Sequence, residues 1–248
     1  MYHTSKVIRY SVQSMKYERN FYEIKSNEEI LKNLKEELGV VGYYSLHEQD
    51  ISSILSYAKK VTKDYIYIVG IGGSALGTKA IYTFLRTTKK FKKKIFFLDT
   101  IDPLRINYLL NLGDLTNSQF IVISKSGNTI EPVSILKYLD TKIKISKDNC
   151  SVITGKKTPL WKFASKNNLE KFLIPENVGG RFSVFSPVGL IPLAMIGVDI
   201  QKLLDGCKII HEDFFNQGKY YDLIINKARF LVENKSRFPM NIIFSYSS

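Results

Sequence analysis

The chain carries at residues 119–129 the run Gln-Phe-Ile-Val-Ile-Ser-Lys-Ser-Gly-Asn-Thr, in which an apolar stretch ends in small polar residues. The apolar part is rich in β-branched residues and predicts a buried strand. Apolar residues at helical spacing follow from Thr129 to Leu139, so the polar part predicts a turn from a strand into a helix. Phosphate groups bind well at such turns, because the first helical N–H groups lack partners and carry partial positive charge.

The side chains of this turn add further donors for an anion. Ser124, Ser126 and Thr129 supply hydroxyl groups, and Lys125 supplies a full positive charge. A plain helix cap at Thr129 or Asn128 is the alternative, but a cap needs only one such side chain. The chain lacks the Gly-rich loop ending in Gly-Lys-Ser/Thr that cradles nucleotide triphosphates. The turn therefore predicts a site for a smaller phosphate, such as a sugar phosphate.

A glycine-rich turn follows an earlier apolar run and has two interpretations. Residues 70–77 read Gly-Ile-Gly-Gly-Ser-Ala-Leu-Gly, which fits the dinucleotide fingerprint G-x-G-x-x-A, with Asp99 as the acid for the ribose. Glycines also allow other ligands to approach the backbone closely, and Ser74 would offer them a hydroxyl group. A sugar or a phosphate fits this turn equally well, and a tight turn without a ligand is the structural alternative.

A third polar segment, residues 176–183, combines a glycine pair with an arginine and reads Glu-Asn-Val-Gly-Gly-Arg-Phe-Ser. Glycines here would bring the backbone close to a ligand, and Arg181 could bind or stabilise an anionic oxygen. An ion pair between Arg181 and a surface carboxylate is the alternative.

Five apolar runs alternate with helical patterns, which predicts an α/β fold. Near-continuous apolar strands of this kind form a parallel five-stranded sheet with helices on both faces. Ligands of such sheets lie at the carboxyl ends of the strands, where the three polar segments would lie. The predicted strands are Tyr65 to Val69, Ile95 to Leu98, Gln119 to Ile123, Ser151 to Thr154 and Lys171 to Ile174.

The same patterns predict how the chain is organised. We expect an α/β domain at residues 62–198, after a polar helical segment at residues 1–61. Residues 199–239 are predicted to be a helical connection with further flanking helices. Residues 240–248 read as the first strand of a second, truncated α/β domain, so the chain is expected to be a fragment or a truncated product.

Composition favours a cytoplasmic protein that does not act on nucleic acids or membranes. The net charge is +13, but the most basic run, Lys89 to Lys94, falls in a predicted loop where lysines are usually solvated, and no nucleic-acid motif accompanies it. No apolar run reaches the roughly 18 residues that span a bilayer. Cys150 and Cys207 stand apart without metal-ligand spacing, so no metal is expected and both thiols are expected to be reduced.

Taken together, the three polar segments resemble the glucose-6-phosphate isomerase family. The similar stretches are Val69 to Gly77, Ser124 to Glu131 and, as the most specific one, Glu176 to Leu190. The resemblance spans about residues 65–199. It implies the sugar-isomerase (SIS) fold, a flavodoxin-like sheet present twice per subunit, a homodimer, and isomerisation of glucose 6-phosphate and fructose 6-phosphate without a cofactor.

The resemblance also implies roles for individual residues. The implied phosphate ligands are Ser124, Lys125, Ser126 and Thr129, the implied sugar contacts are Gly73 and Ser74, and Arg181 is the implied catalytic residue that stabilises the enediolate. The chain departs from the family at Ser126-Gly127, where many members have threonine and a bulkier residue; Ser-x-Ser-Gly-x-Thr is typical of other SIS domains as well.

The family's proton-transfer residues have no match in the chain. The general base is a glutamate beyond the strand that matches Ile242 to Tyr246, and a histidine and a late lysine follow further on. His3, His47 and His211 match none of these motifs. We therefore expect the chain alone to bind substrate without turning it over. A non-catalytic SIS module that senses a sugar phosphate and an NAD-linked dehydrogenase are the alternatives.

Overall fold

The computed structural model describes residues 28–240. Residues 32–212 form one compact unit, and the described residues 28–31 and 213–240 belong to a second one. The three polar segments all lie in the first unit. Two calls fall outside the described residues: all but Met240 of the strand predicted at Met240 to Tyr246, and most of the first half of the N-terminal helical segment.

A parallel sheet of five strands forms the centre of the first unit, as predicted. Its spatial order is β2-β1-β3-β4-β5, and all four neighbouring pairs run parallel. The strands are β1 (Tyr65–Val69), β2 (Lys94–Leu98), β3 (Ser118–Ser124), β4 (Cys150–Thr154) and β5 (Glu170–Leu173).

The strands lie within one or two residues of their predicted bounds because each one is an apolar run that the fold buries. Every residue of β3 and β4 is buried, as expected for central strands covered on both faces. The edge strand β5 alternates between exposed and buried residues and ends at Leu173, while Ile174 continues the pairing by donating its N–H to the Thr154 carbonyl at 2.9 Å.

Helices cover both faces of the sheet. One face packs mainly against α2 (Ser52–Lys60), α3 (Leu76–Leu85) and α7 (Pro187–Met195). The other face packs against α4 (Pro103–Leu110), α5 (Ile130–Lys142) and α6 (Pro159–Lys166). The two buried clusters are separated by the sheet, because alternate side chains of each strand point to opposite faces.

The remaining helical residues differ in detail from the sequence prediction. The N-terminal part contains α1 (Glu28–Glu36) and a 3₁₀ segment at Gly42–Glu48. The stretch after Ser186, predicted to be helical throughout, is divided into α7, α8 (Ile200–Phe215) and α9 (Tyr221–Glu233). Left-handed residues cause both interruptions, Gly197 with φ of 86° and Gln217 with φ of 57°.

The strand order places the polar segments beside one another. The chain continues from β1 to the edge at β2 and then returns to the other side of β1 at β3, so its direction through the sheet reverses there. Such a switch point opens a crevice outside the carboxyl ends of the two strands. The glycine turn follows β1 and the serine-rich turn follows β3, which puts both at the mouth of this crevice.

None of the helices between residues 28 and 240 combines the length and the apolar character that crossing a bilayer requires.

Candidate functional site

The serine-rich turn, residues 124–129, gathers its hydroxyl groups around the start of α5. Thr129 Oγ1 lies 2.9 Å from Ser124 Oγ and 3.2 Å from Ser126 Oγ. The Gly127 N–H donates to Ser124 Oγ at 3.1 Å. Ser124 is buried and Ser126 is exposed, so the cluster reaches from the end of β3 to the surface. We call residues 124–129 the phosphate loop.

The start of α5 differs from the starts of the neighbouring helices. Asp102, Thr158 and Ser186 cap α4, α6 and α7 by accepting from N–H groups of the first turn. Thr129 occupies the corresponding position before α5, yet among the described residues its hydroxyl accepts from no first-turn N–H. The N-terminus of α5 therefore keeps donors for an anion, as an anion site requires.

The segment after β4 supports the phosphate loop from below. Thr154 Oγ1 donates to the Ser124 carbonyl at 2.6 Å, and the Gly155 N–H donates to the Lys125 carbonyl at 3.0 Å. Gly127 has a φ of 69°, and a Cβ atom there would lie 2.5 Å from Thr158 Oγ1. Glycine at 127 is thus required by conformation and by contact. The sequence analysis missed Thr154 and Thr158, although a strand that ends in threonine before Gly155 could have indicated them.

The glycine turn at residues 70–74 folds towards the end of β3. A Cβ atom at Gly70 would lie 2.9 Å from the Ser74 Cβ and 3.3 Å from the Ile123 carbonyl oxygen. Gly70 thus lies between Ser74 and the strand that leads into the phosphate loop. Gly72 has a φ of 57° and nothing within 4 Å of a Cβ position, so glycine there serves the conformation of the turn.

The third segment, residues 176–183, packs its backbone on the glycine turn. A Cβ atom at Gly73 would overlap the Gly180 carbonyl and lie 3.0 Å from the Arg181 nitrogen. The buried Ser183 hydroxyl donates to the Gly180 carbonyl at 2.7 Å and lies 3.4 Å from the Gly73 carbonyl. Arg181 itself is exposed. We call residues 176–183 the arginine loop.

Lys125 connects the phosphate loop to the arginine loop. Its ammonium group donates to the Glu176 carbonyl at 2.8 Å and to the Val178 carbonyl at 2.9 Å. The structure thus brings all seven candidate residues to the carboxyl edge of β1, β3 and β5. The role of Lys125 as a phosphate ligand stays a prediction, as do the other residue roles.

Residues 40–49 hold the arginine loop from another direction, which the sequence did not indicate. The Gly42 N–H donates to the Asn177 carbonyl at 3.1 Å, and the Asn177 amide donates to the Val40 carbonyl at 3.2 Å. The Tyr43 and Phe182 rings stack with centroids 4.7 Å apart. These contacts join residues more than 130 positions apart, so no local pattern could have shown them.

Other charged and titratable groups have partners of their own. Asp99, the acid of the dinucleotide interpretation, forms an ion pair of 2.9 Å with Lys79 of α3. The rings of His47 and His211 lie 4.6 Å apart, and the pKa of His211 is lowered, first by burial and then by His47. Within residues 28–240, no group of three or more His, Cys, Asp and Glu side chains is arranged to hold a metal ion.

Comparisons with known proteins match this site. Residues 46–233 match the family model of phosphoglucose isomerase. The chain is 36% identical to the glucose-6-phosphate isomerase of Campylobacter jejuni over 217 residues, which are 84% of this chain and 53% of that protein. The chain thus spans about half the length of the curated relatives it matches.

Solved structures agree with the fold. A glucose-6-phosphate isomerase from Chlamydia trachomatis superposes with a TM-score of 0.62 at 27% identity, covering 72% of this chain and 35% of that one. A tagatose-6-phosphate ketose/aldose isomerase from Escherichia coli superposes with a TM-score of 0.51 at 14% identity, covering 82% and 57%, which shows a shared fold of the SIS type. With the match to the family model over most of its length, the chain belongs to the phosphoglucose isomerase family.

Proposed function

We propose that the chain is the sugar-phosphate-binding half of a glucose-6-phosphate isomerase. The observation that carries this proposal is the meeting of three loops at one switch point. An uncapped helix start with a cluster of hydroxyl groups lies beside a glycine turn, and that turn contacts the backbone of an arginine loop.

In this proposal the phosphate of the substrate binds at the start of α5. Ser124, Ser126 and Thr129 donate hydroxyl groups, and the N–H groups of the first turn add their partial charge. Pro132 removes one N–H of that turn, so the donors are those of Ile130 and Glu131. Gly73 and Ser74 would then contact the sugar.

Arg181 is the proposed catalytic residue of this half. Aldose–ketose interconversion moves a proton between C1 and C2 through an enediolate, which carries more negative charge on oxygen than the sugar does. A cation placed beside that oxygen stabilises the intermediate and the transition states that lead to it. A module that only senses a sugar phosphate has no use for such a group, so Arg181 favours the isomerase over the sensor.

The whole protein's properties belong to the same proposal. We propose a cytoplasmic, cofactor-independent homodimer that interconverts glucose 6-phosphate and fructose 6-phosphate. The chain alone would be inactive, since the sequence holds no match to the family's glutamate base. The ion pair between Asp99 and Lys79 favours this proposal over a dehydrogenase, because it occupies the carboxylate that a ribose would need.

Titration of the chain with four ligands tests the proposal. Calorimetry at low ionic strength, where exposed charges are least screened, should detect fructose 6-phosphate and glucose 6-phosphate. Fructose, as the matched ligand without a phosphate, and NAD should give no signal. Binding of NAD without a response to either sugar phosphate would overturn the proposal.

A coupled assay separates the isomerase from the sensor. The 248-residue chain should bind the sugar phosphate and produce no product. A chain extended through the missing half of the family's length should turn over, with its activity depending on Arg181. An extended chain that binds substrate without turnover would favour the sensor.

A further inference from the structure

We infer that Lys125 is a positioning residue, whose ammonium group holds the arginine loop rather than a phosphate oxygen. This inference rests on the proposed function, since it assigns Lys125 a role toward Arg181. The observation behind it is the pair of hydrogen bonds from the ammonium to the Glu176 and Val178 carbonyls, at 2.8 and 2.9 Å.

The two acceptors lie where the backbone needs partners. Glu176 and Val178 belong to a loop, where carbonyl groups have no helix or sheet ladder to satisfy them. Val178 is buried, so its carbonyl would lose a partner that water replaces poorly. An ammonium group is a suitable donor because it has three N–H bonds and its charge strengthens each contact.

The backbone of Lys125 is itself held in place, which makes the side chain a useful anchor. Its carbonyl accepts from the Gly155 N–H at 3.0 Å, and the preceding Ser124 is buried at the end of β3. The stem therefore begins at a fixed point of the sheet edge. A lysine on such a point transfers the position of the phosphate loop to the arginine loop.

The arginine loop has other attachments, so losing Lys125 should loosen it without unfolding it. Asn177 is bound to residues 40–42, Gly180 lies on Gly73, and Phe182 stacks on Tyr43. Lys125 holds the segment just before Gly179-Gly180, the part that leads into Arg181. Its removal should therefore increase the motion of Arg181 and leave the phosphate donors of α5 in place.

Two roles for Lys125 predict different results. A phosphate ligand contributes directly to the affinity for inorganic phosphate, and its removal should leave the arginine loop unchanged. A positioning residue contributes to the order of the arginine loop, and its removal should change phosphate affinity only through the lost surface charge. Lys156 provides the matched control, because it is an exposed lysine that directly follows Gly155, whose N–H binds the Lys125 carbonyl.

The experiment compares wild type, Lys125→Met and Lys156→Met in the 248-residue chain. Hydrogen–deuterium exchange reports on the loop amides of Val178, Phe182 and Ser183, which bind carbonyls within the loop. Lys125→Met should speed their exchange about tenfold relative to Lys156→Met, because two charge-assisted hydrogen bonds are lost. The dissociation constant for inorganic phosphate should stay within about threefold of that of Lys156→Met, since each variant removes one lysine charge.

Unchanged exchange in Lys125→Met would overturn the inference, and so would a phosphate affinity more than about tenfold below that of Lys156→Met, the size expected for a lost charged contact. Should Lys125→Met fail to fold, Lys125→Gln replaces it; its shorter, neutral side chain should still speed exchange in the loop. Absence of phosphate binding in the wild type would instead contradict the proposed function, while the exchange comparison would still test the tether.

Discussion

Gly73 packs directly against Gly180, so closely that a Cβ atom at position 73 would overlap the Gly180 carbonyl. The contact is asymmetric, because a Cβ atom at Gly180 would have nothing within 4 Å. Two glycines thus bring the loop after β1 and the loop after β5 together, although only one of them needs to be glycine for reasons of space. This asymmetry gives a prediction that does not depend on the ligand.

Replacement of Gly73 by alanine should force the two loops apart. We expect Gly73→Ala to lower the free energy of unfolding by about 1–3 kcal/mol, the usual cost of overpacking a rigid backbone contact. Gly180→Ala is the matched control and should change it by less than about 0.5 kcal/mol. Urea denaturation of both variants measures the difference. Equal stabilities would mean that the contact between the loops is not maintained in solution.

Two serines of the phosphate loop should respond differently to alanine. Ser126→Ala should weaken binding of fructose 6-phosphate by about 1–3 kcal/mol, since its hydroxyl would contact a charged phosphate, and should leave stability nearly unchanged because Ser126 is exposed. Ser124→Ala should weaken binding and also cost about 1 kcal/mol of stability, because buried Ser124 Oγ accepts from the Gly127 N–H. Calorimetry and urea denaturation test the pair. Unchanged affinity in Ser126→Ala would remove its hydroxyl from the site.

Thr158 should matter to the phosphate loop although it follows a different strand. It caps α6 by accepting from the Trp161 N–H at 3.1 Å, and it bonds to Thr154 Oγ1 at 2.9 Å. Thr158→Ala should cost about 1 kcal/mol of stability as a lost cap. The exposed Thr87→Ala, which loses a hydroxyl bond to the Phe84 carbonyl, is the control and should cost less. Thermal unfolding compares them, and equal losses would contradict the proposed support.

The two cysteines should react at very different rates. Burial raises the pKa of the Cys150 thiol to about 12, with a smaller contribution from Asp140, so almost none of it is thiolate at pH 8. Cys207 is only partly buried, and burial raises its pKa less far. A colourimetric thiol reagent at pH 8 should therefore modify one thiol per folded chain and two in urea. Rapid reaction of both thiols in the folded chain would contradict the buried position of Cys150.

The sequence predicted the sheet well and the contacts between loops poorly. The strands could be found because an apolar run such as residues 119–123 has only one suitable environment, a sheet covered on both faces. Their carboxyl ends then placed Ser124 and Gly73 at one edge. The breaks at Gly197 and Gln217 were missed, because apolar helical spacing continues on both sides of each.

Lysine side chains illustrate what sequence patterns leave out. Lys125 was assigned to a phosphate because it lies in the phosphate loop, and its bonds to Glu176 and Val178 depend on how β3 and β5 are placed in the sheet. The run from Lys89 to Lys94 does form a loop into β2, as predicted. Its lysines are more than solvated charges, however, since Lys89 and Lys93 donate to the Gly197 and Val61 carbonyls. Partners distant in the sequence decide such contacts.

Arg181 provides the test of the catalytic role, in a chain extended to the family's full length. Arg181→Ala should lower kcat by about 10²–10³, the usual loss for one preorganised group that stabilises a developing oxyanion. KM should change much less, because the charge that Arg181 stabilises develops mainly in the transition state and not in bound substrate. Arg105→Ala, which removes an exposed arginine of α4, is the control and should retain wild-type kinetics. Steady-state kinetics with fructose 6-phosphate measures both constants. A rise in KM with unchanged kcat would make Arg181 a substrate-binding residue that acts equally on ground state and transition state, and the enediolate would then need a different cation from outside this half of the site.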